Sequence, residues 1–396
     1  MFLLEKRQVI YKDPWIKPFE FRIQQLTSKN KKVAYFYETP DNSTFRYRVY
    51  NMVQTLNELS EETSASYFFT DDFKYLDLIL SCCSIIVICR TRYSDSINQL
   101  ITIAKSKGLR IFFDIDDLVF NPSYIHLILH SLDQDLKHPQ VWDHWFAYSS
   151  RLGETLRLCD AAITTNQHLA NQIQLFTSKP VYIIPNFMNQ DQLEISDFLF
   201  QQKILSSFKR DPNLHIGYFS GTPTHNKDFE IVLDSLIELL EKYPGLVLRV
   251  AGYTEFKEKL NQYASRVEVI PFQDFINLQY WIASTEINIV PLQDNIFTNS
   301  KSELKFFEAA IVGTVTVASP TFTYRSAISD GVNGYLANSF EWFAKLDNLI
   351  GCFDNYAELA VQAQKDAAQK YAWYNQLRVI EDALFSEKPE NFETEC

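Results

Sequence analysis

Three aspartates, Asp114, Asp116 and Asp117, close the apolar run FFDIDDLVF, Phe112 to Phe120. At the carboxyl end of a buried strand such residues face the crevice where open α/β sheets bind ligands. Aspartate oxygens also suit Mg2+. Alternate strand residues point to opposite faces, however, which works against a shared metal site, and none is expected. The plainer reading makes the aspartates caps and turn formers for the next helix. A second stretch, SGTPTHNKDF, runs from Ser220 to Phe229. Ser220, Gly221 and Thr222 are small and leave the backbone open to a ligand, and a helix begins near Asn226 to Asp228. A helix N-terminus attracts anions, and His225 and Lys227 add donors, so the chemistry expected here is phosphate binding. An ordinary capped turn is the alternative. Arg46 and Arg48, in ETPDNSTFRYRVYNM, also precede a helix. An arginine there either pairs bidentately with a phosphate or simply faces solvent.

These residues need strands to hold them. Continuous apolar runs recur at 32–37, 84–89, 110–115, 161–165 and 181–185, then at 214–219, 246–251, 267–271, 287–291 and 315–318. Each is followed by helical pattern. Such runs mark strands buried on both faces, as in parallel sheets covered by helices. The series predicts two βαβ halves. The stretch from 189 to 214 is polar and mixed, and the domain boundary is placed in it. The expected domains are 1–198 and 212–370, with a closing helix at about 371–396 packing back on the first. Trp142, Trp145, Phe146 and Tyr148 are expected in the core, an acceptor-sugar platform being their other reading. His126 and His130 lack the partners that would complete a zinc site.

The chain has 396 residues and a formal net charge of -12. That length suits two domains, and the charge argues against nucleic acid as a partner. The six cysteines show no CxxC spacing, which fits reduced thiols in a cytoplasmic protein. The start MFLLEKRQ is not a secretory signal, and the run LILSCCSIIVIC is too short to cross a bilayer. Any membrane contact is expected to be peripheral, at the inner face.

The segment NSKSELKFFEAAIVGTVTVASP, Asn299 to Pro320, followed by DGVNGYLA, resembles the donor-site segment of the GT-B glycosyltransferases often called family 4. IIPNFMN and CDAAITTNQHLA resemble that family's ending of the first domain. The resemblance implies two Rossmann-like α/β domains facing across a cleft. It implies transfer of a sugar from a nucleoside diphosphate sugar to a glycan, lipid-linked or protein-linked acceptor, with retention and with neither metal nor cofactor. Glu308 would hold the ribose hydroxyls, since a carboxylate offers two acceptor oxygens. Ser302 and Glu303 would sit at a helix start near the diphosphate, and Lys227 and Lys301 would offset its charge. Asp116 would face the donor sugar. The family's other glutamate, eight positions before Glu308, is Ser300 here; Lys301, Glu303 or Lys305 would take over its role, or the sugar would be a deoxysugar. Arg46, Arg48, Asp114 and Asp117 fall on the acceptor side. Two rival expectations are a non-catalytic GT-B subunit, bound to an active transferase, and a sugar-nucleotide epimerase or phosphorylase. Homo- or hetero-oligomerisation stays open.

Overall fold

A computed structural model describes residues 1–7, 9–220, 226–252 and 257–386. Among these, twelve strands form two parallel sheets of six. The first holds β1 (Lys31–Tyr37), β2 (Thr63–Phe69), β3 (Ile85–Cys89), β4 (Arg110–Asp114), β5 (Ala161–Thr164) and β6 (Val181–Ile183), in the order β2-β1-β3-β4-β5-β6. The second holds β7 (Leu214–Phe219), β8 (Leu246–Ala251), β9 (Val267–Ile270), β10 (Ile287–Val290), β11 (Val315–Ala318) and β12 (Tyr335–Leu336), in the order β12-β11-β10-β7-β8-β9. Strand order reverses between β1 and β3 in one sheet and between β7 and β10 in the other. Those reversals, at the strands' carboxyl ends, are where doubly wound sheets open a crevice.

Burial on both faces is what makes the runs continuous. In β1, Val33 and Tyr35 pack on one side of the sheet while Ala34 and Phe36 pack on the other. Ile85, Val87 and Cys89 of β3 alternate in the same way with Ile86 and Ile88. One apolar cluster is continuous from the first domain, through Trp15, Phe45 and Phe187, to Phe275, Phe306 and Phe307 of the second. The domains therefore share a core rather than merely touching.

Several findings differ from the expectations. β2 has no strong apolar run: Thr63, Ser64 and Ser66 are buried but hydrogen-bonded to Glu381, the Leu26 carbonyl and Gln25. Polar side chains satisfied by covering helices gave the sequence pattern of a loop. Residues 189–214, read as a mixed linker, contain the helix Gln190–Leu205. Its buried face carries Gln192, Ser196 and Lys203, so it lacks a clean apolar stripe. Ser196 bonds Gln279, and the Lys203 ammonium donates to the Gly313 carbonyl at 2.9 Å. The helix thus packs on the second domain. Phe2 also lies in the second domain's core, while Trp15 stacks near Phe275 and sits edge-on to Phe45. The first residues therefore cross from the second domain to the first. Near the other end the helix Leu377–Phe385 lies on the first domain, where Glu381 accepts from Ser60 and Thr63. Trp142, Trp145 and Tyr148 are half-buried and pack against the first domain's core, as expected, whereas Phe146 is 42% exposed. Cys82, Cys83, Cys89, Cys159 and Cys352 are free thiols. No described helix is long and apolar enough to cross a membrane.

Gly313 has φ +64°, and a Cβ there would lie 2.7 Å from the Phe200 ring. Both backbone and space exclude a side chain where the helix Gln190–Leu205 docks. Gly313→Ala is expected to cost about 1–3 kcal/mol, a fall of at least about 2 °C in Tm for a domain of this size. An unchanged thermal melt would mean that this docking is loose.

Candidate active site at the interdomain crevice

The first domain brings the ends of β1, β3 and β4 to the crevice. Asp114, the last residue of β4, turns inward and takes both arms of the Arg48 guanidinium, Nε at 2.8 Å and Nη2 at 3.0 Å. Their side chains are 1% and 0% exposed. Arg48 also donates to the Ile184 carbonyl and to Asn186. Burial pushes the Asp114 carboxyl up to about 6, with Arg48 pulling the other way. Arg48 and Asp114, expected on the acceptor side, are therefore an internal strut. Their chemistry is satisfied inside the protein, out of a ligand's reach.

Two residues further on, Asp116 does reach the crevice. Its Oδ1 takes Arg90 Nη1 at 2.9 Å and its Oδ2 takes Thr44 Oγ1 at 3.0 Å. Asp117 lies 3.6 Å from the same arginine. Burial raises the Asp117 carboxyl, and Lys301 and Arg90 oppose that rise. Lys301 belongs to the second domain, so the two sides of the crevice sense each other here. Arg90 itself was not singled out by sequence. It follows β3 at the strand-order reversal with φ +40°, in the left-handed region, and its amide bonds the Asp114 carbonyl at 2.8 Å. An arginine just after a buried strand next to the aspartate strand is the signal that would have found it.

The second domain contributes the short helix Leu304–Ala310 and the ends of β7 and β10. Lys305 is half-buried, with its ammonium 5.2 Å from the Tyr218 ring centroid. Burial lowers its pKa to about 8; Asp228 and Glu308 oppose that shift and Lys301 adds to it. Lys301 Nζ lies 4.8 Å from the Phe297 ring centroid. Glu308 meets the first domain directly. Its Oε1 accepts from Tyr47 Oη at 2.5 Å, Gln192 Nε2 at 3.2 Å and Arg46 Nη2 at 3.3 Å. Arg46 is itself sandwiched, its guanidinium carbon 4.0 Å from the Tyr47 ring centroid and 4.5 Å from that of Phe275. Arg46 and Glu308 are thus brought together, though sequence placed them on opposite substrates.

Other expected residues are engaged elsewhere. Ser300 is fully buried; its Oγ bonds the Ile296 carbonyl and His168, and its carbonyl takes Asn166. Ser302 Oγ accepts from Asn186 at 3.0 Å. Glu303 Oε1 accepts from Tyr371 Oη at 2.6 Å, so this carboxylate holds the returning C-terminal segment rather than facing a diphosphate. Lys227 donates to the His130 carbonyl at 3.1 Å and lies 3.6 Å from Asp133, tying the domains together at the crevice rim. Ser220 is buried and its amide pairs with the Ala251 carbonyl, so that amide is not offered to an anion. Gly221, Thr222 and His225 lie outside the described residues. Among the described residues, no group of three His, Cys, Asp or Glu is placed to hold a metal ion. A depression of about 470 Å3 lies beside Arg7, Tyr11 and Phe198. It borders the Arg46 side of the interface, where the Tyr11 ring meets Phe275, the ring on which Arg46 stacks; we take the crevice as the site because the convergent polar groups are there.

Residues 214–351 match the family model described as Glycosyl transferases group 1. No curated protein matches the chain. Among solved structures, Alr3699/HepE of Anabaena in complex with UDP superposes with a TM-score of 0.60 at 13% identity, over 89% of this chain and 98% of that one. A glycosyltransferase of Rickettsia africae ESF-5 gives 0.60 at 11% identity, over 90% and 99%. Sucrose-phosphate synthase of Thermosynechococcus elongatus gives 0.57 at 11% identity, over 88% and 96%. At such identities the likeness is one of architecture. The chain has the GT-B fold, and its second domain matches the group 1 glycosyltransferase model.

Removing one partner of a buried ion pair strands the other. Arg48→Ala is expected to cost roughly 3–5 kcal/mol, read as a large fall in Tm. The double variant Arg48→Met/Asp114→Leu should recover most of it. If Arg48→Ala instead kept its Tm and lost ligand binding, Arg48 would be a binding residue.

Proposed function

We propose that this protein is a glycosyltransferase, moving a sugar from a nucleoside diphosphate sugar to a glycan-type acceptor with retention and without a metal or other cofactor. The observation that carries the reading is the group 1 match over 214–351; Lys301, near Asp117, and Lys305, near Lys301 and Glu308, support it. Alr3699/HepE, of the same fold, was solved with UDP and with UDP-glucose. On this reading the two lysines offset the charge that develops on the leaving diphosphate, an electrostatic contribution that fixed cations make without reorganising. Glu308 takes the ribose hydroxyls in place of its present donors Tyr47 and Arg46, through side-chain movement at the interface. Asp116, anchored by Arg90 and Thr44, faces the sugar.

A second reading, a non-catalytic subunit, draws on Ser300. Where the family's sugar-binding glutamate would stand, this serine is buried under Asn166 and His168.

A thermal melt with UDP, GDP, dTDP, ADP, CMP and their sugar conjugates separates the two. A nucleotide at one hundred times its Kd adds about 2.7 kcal/mol, so one base should raise Tm clearly. Glu308→Ala should abolish that shift. No shift with any nucleotide would leave the non-catalytic reading standing.

The pH dependence carries a further check. Without ligand, Lys305 has a folded pKa of about 8 against an ordinary 10.5. The unfolded chain therefore binds more protons between those values, and Lys305 makes stability rise with pH across that window. A diphosphate needs the charged ammonium, so nucleotide affinity should fall as pH rises through about 8. Lys305→Met should flatten both trends. An affinity that ignores pH in this range would remove Lys305 from the donor site.

A further inference from the structure

The mechanism above does not use the depression of about 470 Å3 beside Arg7, Tyr11 and Phe198. Its volume is that of an ordinary small-molecule site. Two elements wall it. The segment that crosses between the domains brings Arg7 and Lys12, and the helix Gln190–Leu205 brings Asp191 and Glu194. All four are exposed at the rim. Among the described residues, none of the four makes an ion pair. The Arg7 guanidinium carbon lies instead 5.6 Å from the Phe198 ring centroid. A basic wall and an acidic wall thus border one cavity, with Tyr11, Ile195, Phe198 and Ile276 as its apolar lining.

Three routes join this wall to Arg46. The Tyr11 ring meets Phe275 edge-on at 5.4 Å, and the Arg46 guanidinium carbon lies 4.5 Å from the same Phe275 ring. Tyr11 Oη donates to Asn42 Oδ1 at 2.8 Å, and the Asn42 carbonyl accepts from Arg46 Nε at 3.0 Å. Next to Asp191, Gln192 Oε1 accepts from Arg46 Nη1 at 2.9 Å, while its Nε2 donates to Glu308 at 3.2 Å.

We infer that this cavity is an effector site for a small zwitterion with an apolar body, as an apolar amino acid is, and that its occupant weakens donor binding. The second half rests on the proposed function. The charges decide the class of ligand. A carboxylate pairs with Arg7 and Lys12, an ammonium pairs with Asp191 and Glu194, and the body covers Tyr11, Ile195 and Phe198. A ligand of one charge is repelled by the wall of its own sign. The four rim charges sum to zero, so they give an anionic bilayer no net attraction, and a soluble molecule is the better occupant. The direction of the coupling follows from the state in which the cavity is formed. Here Glu308 already holds Tyr47, Gln192 and Arg46. A ligand favours the state that it binds. An occupant that fixes Tyr11, and through it Arg46, therefore favours Glu308 bonded to protein over Glu308 bonded to ribose. The nucleotide then weakens the effector by the same factor.

The test uses the full chain and the nucleotide identified by melting. L-Phenylalanine, L-leucine and glycyl-phenylalanine are the probes, with phenethylamine and 3-phenylpropionate as controls of one charge. In saturation-transfer NMR and calorimetry, at least one zwitterion should bind about tenfold or more tighter than either control. At saturation it should raise the nucleotide Kd at least about fivefold. Phe198→Ala and Asp191→Asn should each lose the zwitterion and keep the nucleotide Kd. Asp191 is exposed, so its variant stays informative even if Phe198→Ala misfolds. Binding by none of the three probes, equal binding by a control, or binding that survives Asp191→Asn would overturn the site. A nucleotide Kd that ignores the bound zwitterion would overturn the coupling and leave the proposed function intact. Sedimentation with phosphatidylethanolamine vesicles, abolished in Asp191→Asn, would give the cavity to a lipid head and overturn the soluble ligand. A wild type that binds a zwitterion but no nucleotide would keep the site and remove the proposed function.

Discussion

A buried ion pair between Arg48 and Asp114 is the constraint from which the crevice is built. A charge taken out of water is tolerated only when a partner and further hydrogen bonds satisfy it. Here one guanidinium ties three parts of the first domain: the end of β4, the turn Arg46–Tyr50, and the segment after β6 that carries Ile184 and Asn186. Each part then presents residues to the crevice. The β4 end continues to Asp116 and Asp117. The turn carries Arg46 and Tyr47 to Glu308. Asn186 reaches Ser302 of the second domain. The pair thus acts through geometry, holding the crevice groups in register from a fully buried position.

The domains meet through two unlike kinds of contact. The apolar cluster that includes Trp15, Phe275 and Phe307 is broad and undirected. The polar bridges at Glu308, Ser300, Ser302 and Lys227 are few and depend on orientation. Hydrogen bonds exchanged for equivalent ones contribute little net free energy. The apolar cluster therefore holds the halves together, while the polar bridges can be traded for ligand contacts. A two-domain binding protein needs that division.

The fold was largely legible in the sequence, because most of the strands are apolar runs buried on both faces, the edge strand β9 with its exposed Val269 being an exception. What escaped was structure whose buried face is polar. β2 hides Thr63, Ser64 and Ser66 under partners from distant helices, and the helix Gln190–Leu205 turns Gln192 and Lys203 inward. The site divides along the same line. Asp116, Lys305 and Glu308, which line the crevice, were singled out from strand ends and a local motif. Arg90, Tyr47 and Gln192 were not, since their role comes from pairing with residues far along the chain. Arg48 was misread for a related reason: an arginine looks the same in sequence whether its carboxylate partner is a buried aspartate or its anion a phosphate.

Glu308 shows how these levels combine. Its own helix is short, and the residue is nearly buried. One of its oxygens gathers a phenol, an amide and a guanidinium, all from beyond the domain boundary. A carboxylate so surrounded has one oxygen already occupied by protein donors. Any ligand that takes it must offer donors of the same kind in nearly the same place, as two vicinal hydroxyls do. On the proposed function, the ligand-free and ligand-bound states then differ little in hydrogen bonding at Glu308. The balance between them is left to the lysines, whose charges a diphosphate would satisfy and the protein's own crevice meets only in part.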